Sequence, residues 1–136
     1  MKVQEVLKMI EDAGWRLVRT RGSHRQYHHP ERPGTVTVHG KPSDEVHPKT
    51  AGQHQEAGRS MNQYRYVIVI EGAPGTNFSG YVPDLPGCIA TGDTVEDCEA
   101  NMRGAIAFHL EGMRAAGETI PGPSAVAATV VEVPAA

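Results

Sequence analysis

Aromatic side chains are scarce in this 136-residue chain: two Phe, four Tyr and one Trp, 5% of the whole. Apolar residues reach only 39%, so any core is modest. A unit of about 60 residues buries only about 60% of its unfolded surface and is marginal alone. Two cysteines, Cys88 and Cys98, are too few for a disulfide framework, and reduced thiols are the default expectation. No apolar run approaches the roughly 18 residues a membrane helix requires. Lys2, Glu5 and Lys8 interrupt the stretch where a secretory signal would be apolar. A cytoplasmic location without a membrane partner is the expectation. No internal repeat is visible.

Charge is unevenly spread. Residues 1–60 carry ten basic and seven acidic side chains, a formal +3, and six of the seven histidines. Residues 61–136 carry three and nine, a formal −6. A basic block beside an acidic one points to a polyanion-binding half and a charge-complementary partner, unless the pattern is chance surface charge.

Val3, Val6, Leu7 and Ile10 keep helical spacing, and Gly14 is placed to end that helix. Strand patterns follow at Trp15–Arg19, His24–His28 and Thr35–His39, separated by turns at Arg21-Gly-Ser and Glu31-Arg-Pro-Gly. A further helix is expected after Pro48, although Gln53-His-Gln-Glu offers no apolar stripe. Beyond a boundary near Arg59–Met61, strands are expected at Tyr64–Ile70, Phe78–Val82 and Cys88–Thr91. Asp93 and Thr94 are N-cap candidates for a long helix reaching Ala116, capped by Gly117. Ala125–Val133 is a last β-prone run. The class is α+β: an α-β-β-β unit followed by a β-β-β-α-β unit.

The opening helix ending at Gly14-Trp15, then Arg21-Gly-Ser-His24 and Val38-His39-Gly-Lys41, resembles the HicA toxin family. Tyr81-Val-Pro-Asp-Leu-Pro-Gly-Cys88, Gly92-Asp-Thr94, His109-Leu-Glu and Ile120-Pro-Gly-Pro-Ser124 resemble the HicB antitoxin domain. The first resemblance implies residues 1–58 as a double-stranded-RNA-binding-like α-β-β-β(-α) unit. Its activity would be ribosome-independent mRNA cleavage, with His24 as the essential histidine. The second implies residues 61–136 as a partial RNase H-like unit that inhibits rather than cleaves. Many relatives add a DNA-binding domain. Here only Pro-Ala-Ala follows Val133, so operator binding is not expected.

Metal-free RNA cleavage needs a proton acceptor for the 2′-hydroxyl and cationic groups near the phosphate. A histidine suits the first role because it titrates near neutrality. Arg21, Arg25 and Lys41 suit the second, and Ser23 and His28 complete the candidate RNA-binding set. In a regular strand His24, Gln26 and His28 share one face. The alternative is that His24 is an ordinary exposed strand histidine. A metal site is the rival use of the histidines, but His28 and His29 point to opposite strand faces. His39, His47 and His54 lack ligand spacing, so neither metal nor cofactor is expected. Asp84 reads as a turn residue, because nuclease chemistry of the RNase H type needs several carboxylates around a metal. His109 reads as a packed helix residue, and the cysteines as small core or semi-exposed residues.

Toxins of the resembled family end in an amphipathic helix like Ser-Ile-x-Arg-Gln-Ala-Gly, where this chain has Gly52-Gln-His-Gln-Glu-Ala-Gly-Arg59. Read one base later, permitted codons give Gly-Ser-Ile-Arg-Arg-Gln-Ala. A one-base slip near Gly52 joining two adjacent genes is one reading, with Met61 as the second gene's own start. A natural polar linker is the other. Two functions therefore stand open. One is a latent endoribonuclease toxin neutralised by its antitoxin half, within one chain or between copies. The other is a non-catalytic antitoxin-type binding protein with a disabled toxin remnant. A metal-binding regulator is a third and weaker reading.

Overall fold

A computed structural model describes residues 1–51 and 65–135. The expected boundary and the anomalous Gly52–Arg59 segment lie outside the described residues. Helix α1 spans Val3–Asp12, followed by strands β1 Arg16–Arg21, β2 His24–His28 and β3 Val36–His39. After the short helix α2, Pro48–Ala51, come β4 Val69–Gly72, β5 Phe78–Tyr81, β6 Cys88–Gly92 and the long helix α3, Val95–Ala115. The first half thus has the expected α-β-β-β order. In the second half the first strand starts five residues later than the β-prone run at Tyr64.

All six strands form one sheet in the order β1-β2-β3-β6-β5-β4. The expectation was two successive units, each with three or more strands. They merge because β3 and β6 pair in parallel, with Thr37 opposite Cys88 and His39 opposite Ala90. The Thr37 N–H donates to the Gly87 carbonyl at 2.6 Å. Gly87 makes this join possible: its φ is +85°, and a Cβ there would lie 2.4 Å from the Thr35 carbonyl oxygen. The other pairings, β1–β2, β2–β3, β4–β5 and β5–β6, are antiparallel.

Alternation along the strands divides the interior into two cores, one on each face. On one face, Val3, Val6 and Ile10 of α1 pack with Trp15, Tyr27, Val36, Val38 and Ile89. On the other, Cys98, Met102, Ala105 and Met113 of α3 pack with Val82, Leu85, Cys88 and Ala90. The α3 start is capped by Thr94, whose Oγ1 accepts from the Asp97 N–H at 3.0 Å, with Glu96 and Asp97 favourably placed in the first turn.

The last expected strand is absent. Residues 125–135 have no regular structure, and Val126, Val130, Val131 and Val133 are exposed. β propensity measures fit to a half-buried pleated surface. This run has no alternation that would bury one side, and no strand lies beside it.

Candidate nucleic-acid interface

The candidate site is built on the β1–β2–β3 hairpin surface. His24, Gln26 and His28 share a face, as their spacing predicts, and Thr37 and His39 of β3 lie beside them. His24 stands directly across the ladder from His39, with ring centroids 4.5 Å apart. This is the face that α3 covers.

The cover is close. The Phe108 ring is 6.1 Å from that of His24, and the guanidinium groups of Arg19 and Arg21 lie over it at 4.7 and 4.9 Å. Such cation–π contacts contribute about 0.5–1 kcal/mol at exposed sites and more when desolvated. Helix glycines allow the approach. A Cβ at Gly104 would be 3.3 Å from His24 Nε2, and one at Gly112 would be 1.8 Å from Gln26 Oε1. The fully buried Gln26 donates from Nε2 to the Phe108 carbonyl at 3.0 Å and to Thr37 Oγ1 at 3.2 Å. Thr37 Oγ1 also bonds Nδ1 of the buried His109 at 2.6 Å. These partners satisfy Gln26 Nε2, Thr37 Oγ1 and His109 Nδ1, which would otherwise be costly to bury beneath a helix.

Two of the expected phosphate-binding cations meet acidic residues of the second half. Arg21 Nη1 is 2.7 Å from Glu111 Oε2, and Lys41 Nζ is 3.8 Å from Asp93 Oδ2. Ser23, His39 and Lys41 line a cleft of about 310 Å³ together with Asp44, Asp93 and, from α3, Asp97 and Asn101. The other two expected residues stand apart. Arg25 is two residues from Tyr27, so it takes the α1 face, where its Nη2 donates to the Gly40 carbonyl at 3.2 Å. His28 Nε2 lies 3.0 Å from Thr35 Oγ1, which in turn donates to Glu118.

Cover and charge tune the two facing histidines. Burial, then the nearby Arg21, holds His24 below the ordinary histidine value. Burial also lowers His39, aided by His24 and Arg25 and opposed by Asp44. The Nδ1 atoms of both are buried without a hydrogen-bond partner among the described residues. His109 is a packed residue: burial pushes it down to about 3, with His28 adding to the effect.

Asp84 accepts from the Ser124 backbone at 2.9 Å, the Ser124 hydroxyl at 2.6 Å and the Ala125 backbone at 3.0 Å. It ties a turn to the chain beyond α3. Cys88 and Cys98 are buried thiols pushed up by burial, Cys98 to about 11. Among the described residues no three His, Cys, Asp or Glu side chains gather as a metal-binding set, and no helix is long and apolar enough to cross a membrane.

Sequence reasoning did not assign site roles to His39, Gly104, Phe108 or Glu111. His39 was within reach: antiparallel pairing across the Glu31-Arg-Pro-Gly turn brings it opposite His24. The three α3 residues carry no local signal, because their role depends on where the helix packs.

Comparison with known proteins finds two family matches in the chain. Residues 3–54 match the model of the HicA toxin of bacterial toxin–antitoxin systems. Residues 66–134 match that of the HicB-like antitoxin of bacterial toxin–antitoxin systems. A 40-residue stretch is 48% identical to an uncharacterized 14.9 kDa protein of the rep-hol intergenic region of Haemophilus phage HP1. That stretch is 29% of this chain and 30% of the phage protein, so the chain spans less than a third of that relative. No solved structure gives a significant match.

Proposed function

The chain belongs to the HicB-like antitoxin family and carries a HicA toxin segment ahead of that domain, and from this premise we propose that it is a self-masked RNA-cleaving toxin. The first half binds RNA and cleaves it at His24 without a metal, and the second half keeps the RNA out. One observation carries the reading: α3 lies over the His24 face, with Glu111 on Arg21 and Asp93 on Lys41. The carboxylates sit where phosphate oxygens would meet those cations. A tether that reaches its site gives an effective concentration in the millimolar range, so cover in cis needs little intrinsic affinity. Residues 1–58 would act as the toxin unit and 61–136 as the antitoxin unit, although they share a sheet.

The test reverses charge in the full chain with Asp93→Lys/Glu111→Lys. Both ion pairs are exposed, and such pairs contribute about 0–1 kcal/mol, so the variant should fold. Its affinity for a labelled single-stranded RNA should rise well above that of the parent chain. Binding should weaken steeply with salt, because phosphate contacts release counterions. RNA cleavage should appear and be lost in the His24→Ala derivative, since a general base contributes about 10²–10⁴-fold. Unchanged RNA affinity in the folded variant would sink the masking idea.

A second reading is favoured by the polar Gln53-His-Gln-Glu segment, which lacks an apolar stripe. On that reading the toxin half is a remnant and the protein is a non-catalytic antitoxin-type binder. Tighter RNA binding without any cleavage by the charge-reversed chain is its signature.

A further inference from the structure

We propose that His39 is the second catalytic histidine of this site, the proton donor to the leaving oxygen, paired across the β2–β3 ladder with His24 as the base. The inference rests on the ribonuclease reading above and deepens it.

Cleavage of RNA through its own 2′-hydroxyl requires two proton movements. As the 2′-oxygen forms its bond to phosphorus, neutral His24 takes the hydroxyl proton. As the bond from phosphorus to the 5′-oxygen breaks, protonated His39 gives its proton to that oxygen. One proton leaves the RNA and one returns. The products are a 2′,3′-cyclic phosphate and a 5′-hydroxyl, and no other reactant is needed. A lone histidine leaves the second movement to water.

Geometry selects His39 from the histidines present. Proton donors and acceptors must come within hydrogen-bond reach of the reacting oxygens, about 2.6–3.2 Å. His39 is directly across the ladder from His24 with ring centroids 4.5 Å apart, so both rings can address one phosphodiester. His28 is four residues along the same strand, roughly 13 Å away at about 3.3 Å per residue. It is also engaged with Thr35. His109 is wholly buried and bonded to Thr37. His39 lines the same cleft as Ser23 and Lys41, a cleft that Asp44, Asp93 and Asp97 also line in the parent chain.

The charged neighbours of the two rings differ. From β1, Arg21 faces His24 and favours its neutral form. Burial, then His24 and Arg25 on β2, lowers His39, and Asp44, in the loop after β3, opposes them. From α3, Asp97 lines the cleft and Glu111 reaches the pair only through Arg21. Both rings are lowered in the same direction, by burial first, so the pairing rests on their ladder geometry.

The test uses the full Asp93→Lys/Glu111→Lys chain. His39→Gln should reduce cleavage of a single-stranded RNA about 10²–10⁴-fold while leaving RNA affinity little changed. A substrate whose 5′-bridging oxygen is replaced by sulfur has a leaving group that needs no proton. This substrate should restore cleavage by His39→Gln and leave His24→Gln defective. The pH profile should be bell-shaped in the parent, losing its alkaline limb in His39→Gln and its acidic limb in His24→Gln. A second measurement needs neither cleavage nor a His39 variant: in the otherwise native full chain, His24→Gln should raise the titration midpoint of the His39 ring by NMR. Full cleavage by folded His39→Gln, equal defects on both substrates, or an unmoved His39 midpoint would each overturn the assignment. Tighter RNA binding by the parent variant with no cleavage at all would instead remove the ribonuclease reading, and this proposal with it.

Discussion

A histidine with no water around it behaves as a weak base, and His109 is the clearest case in this chain. It is fully buried, bonded through Nδ1 to Thr37, and held at about 3 by burial. Its unfolded value is near 6.5, so between these values the unfolded chain binds a proton that the native chain does not. Stability from this group is therefore complete above about pH 6.5 and is lost as pH falls toward 3. The loss approaches about 1.4 kcal/mol per pH unit in that window. His24 and His39 are lowered in the same direction and add to the trend. Urea midpoints measured from pH 7.5 to 4.5 should fall steadily, and His109→Gln should flatten the curve. A flat profile in the parent chain would contradict the burial argument.

Helix α3 combines good capping with two interior glycines, which on propensity alone are each worse than Ala by about 1 kcal/mol. Packing decides what each substitution does. At Gly104 a Cβ would lie 3.3 Å from the end of the His24 ring, a contact relieved by a shift of a few tenths of an ångström. Gly104→Ala should therefore be nearly neutral or mildly stabilising. At Gly112 a Cβ would meet Gln26 Oε1 at 1.8 Å and Cδ at 2.3 Å. Gln26 cannot yield without losing its bonds to Phe108 and Thr37, so the clash outweighs the propensity gain. Gly112→Ala should destabilise by about 1–3 kcal/mol. Denaturant midpoints of the two variants should move apart, and equal midpoints would mean that α3 is not seated on β2.

At the scale of the whole molecule, the β3–β6 join makes the two family segments one mechanical unit. Neither half has a sheet of its own with both edges free, and α3 bridges the join from one face. The two halves should therefore unfold together. Trp15, the single tryptophan, lies buried in the α1 core of the first half, whereas α3 is the longest helix among the described residues and dominates their far-UV helical signal. Fluorescence and circular dichroism should give coincident urea transitions, as two-state unfolding requires. Separate transitions would mean that the toxin and antitoxin segments fold as independent units.

Much of this was legible from local pattern. Val3, Val6 and Ile10 announced α1, and the spacing of His24, Gln26 and His28 gave the shared face. Of the two N-cap candidates, Thr94 is the cap, and the Asp84 turn lies where expected. Each of these depends on a few consecutive residues and on steric or hydrogen-bonding rules that act within one turn or one strand. The merged sheet, the pairing of His39 with His24, the displacement of Arg25 to the far face and the failure of Ala125–Val133 to form a strand depend on neighbours distant in the chain. Sequence by itself determined most of the elements, the presence of two family segments and the charge asymmetry between them. Tertiary structure alone decided that α3 rests on the His24 face. Helix placement is set by the fit of Gly104, Phe108 and Gly112 against β1 and β2, a complementarity that exists only once both surfaces are folded.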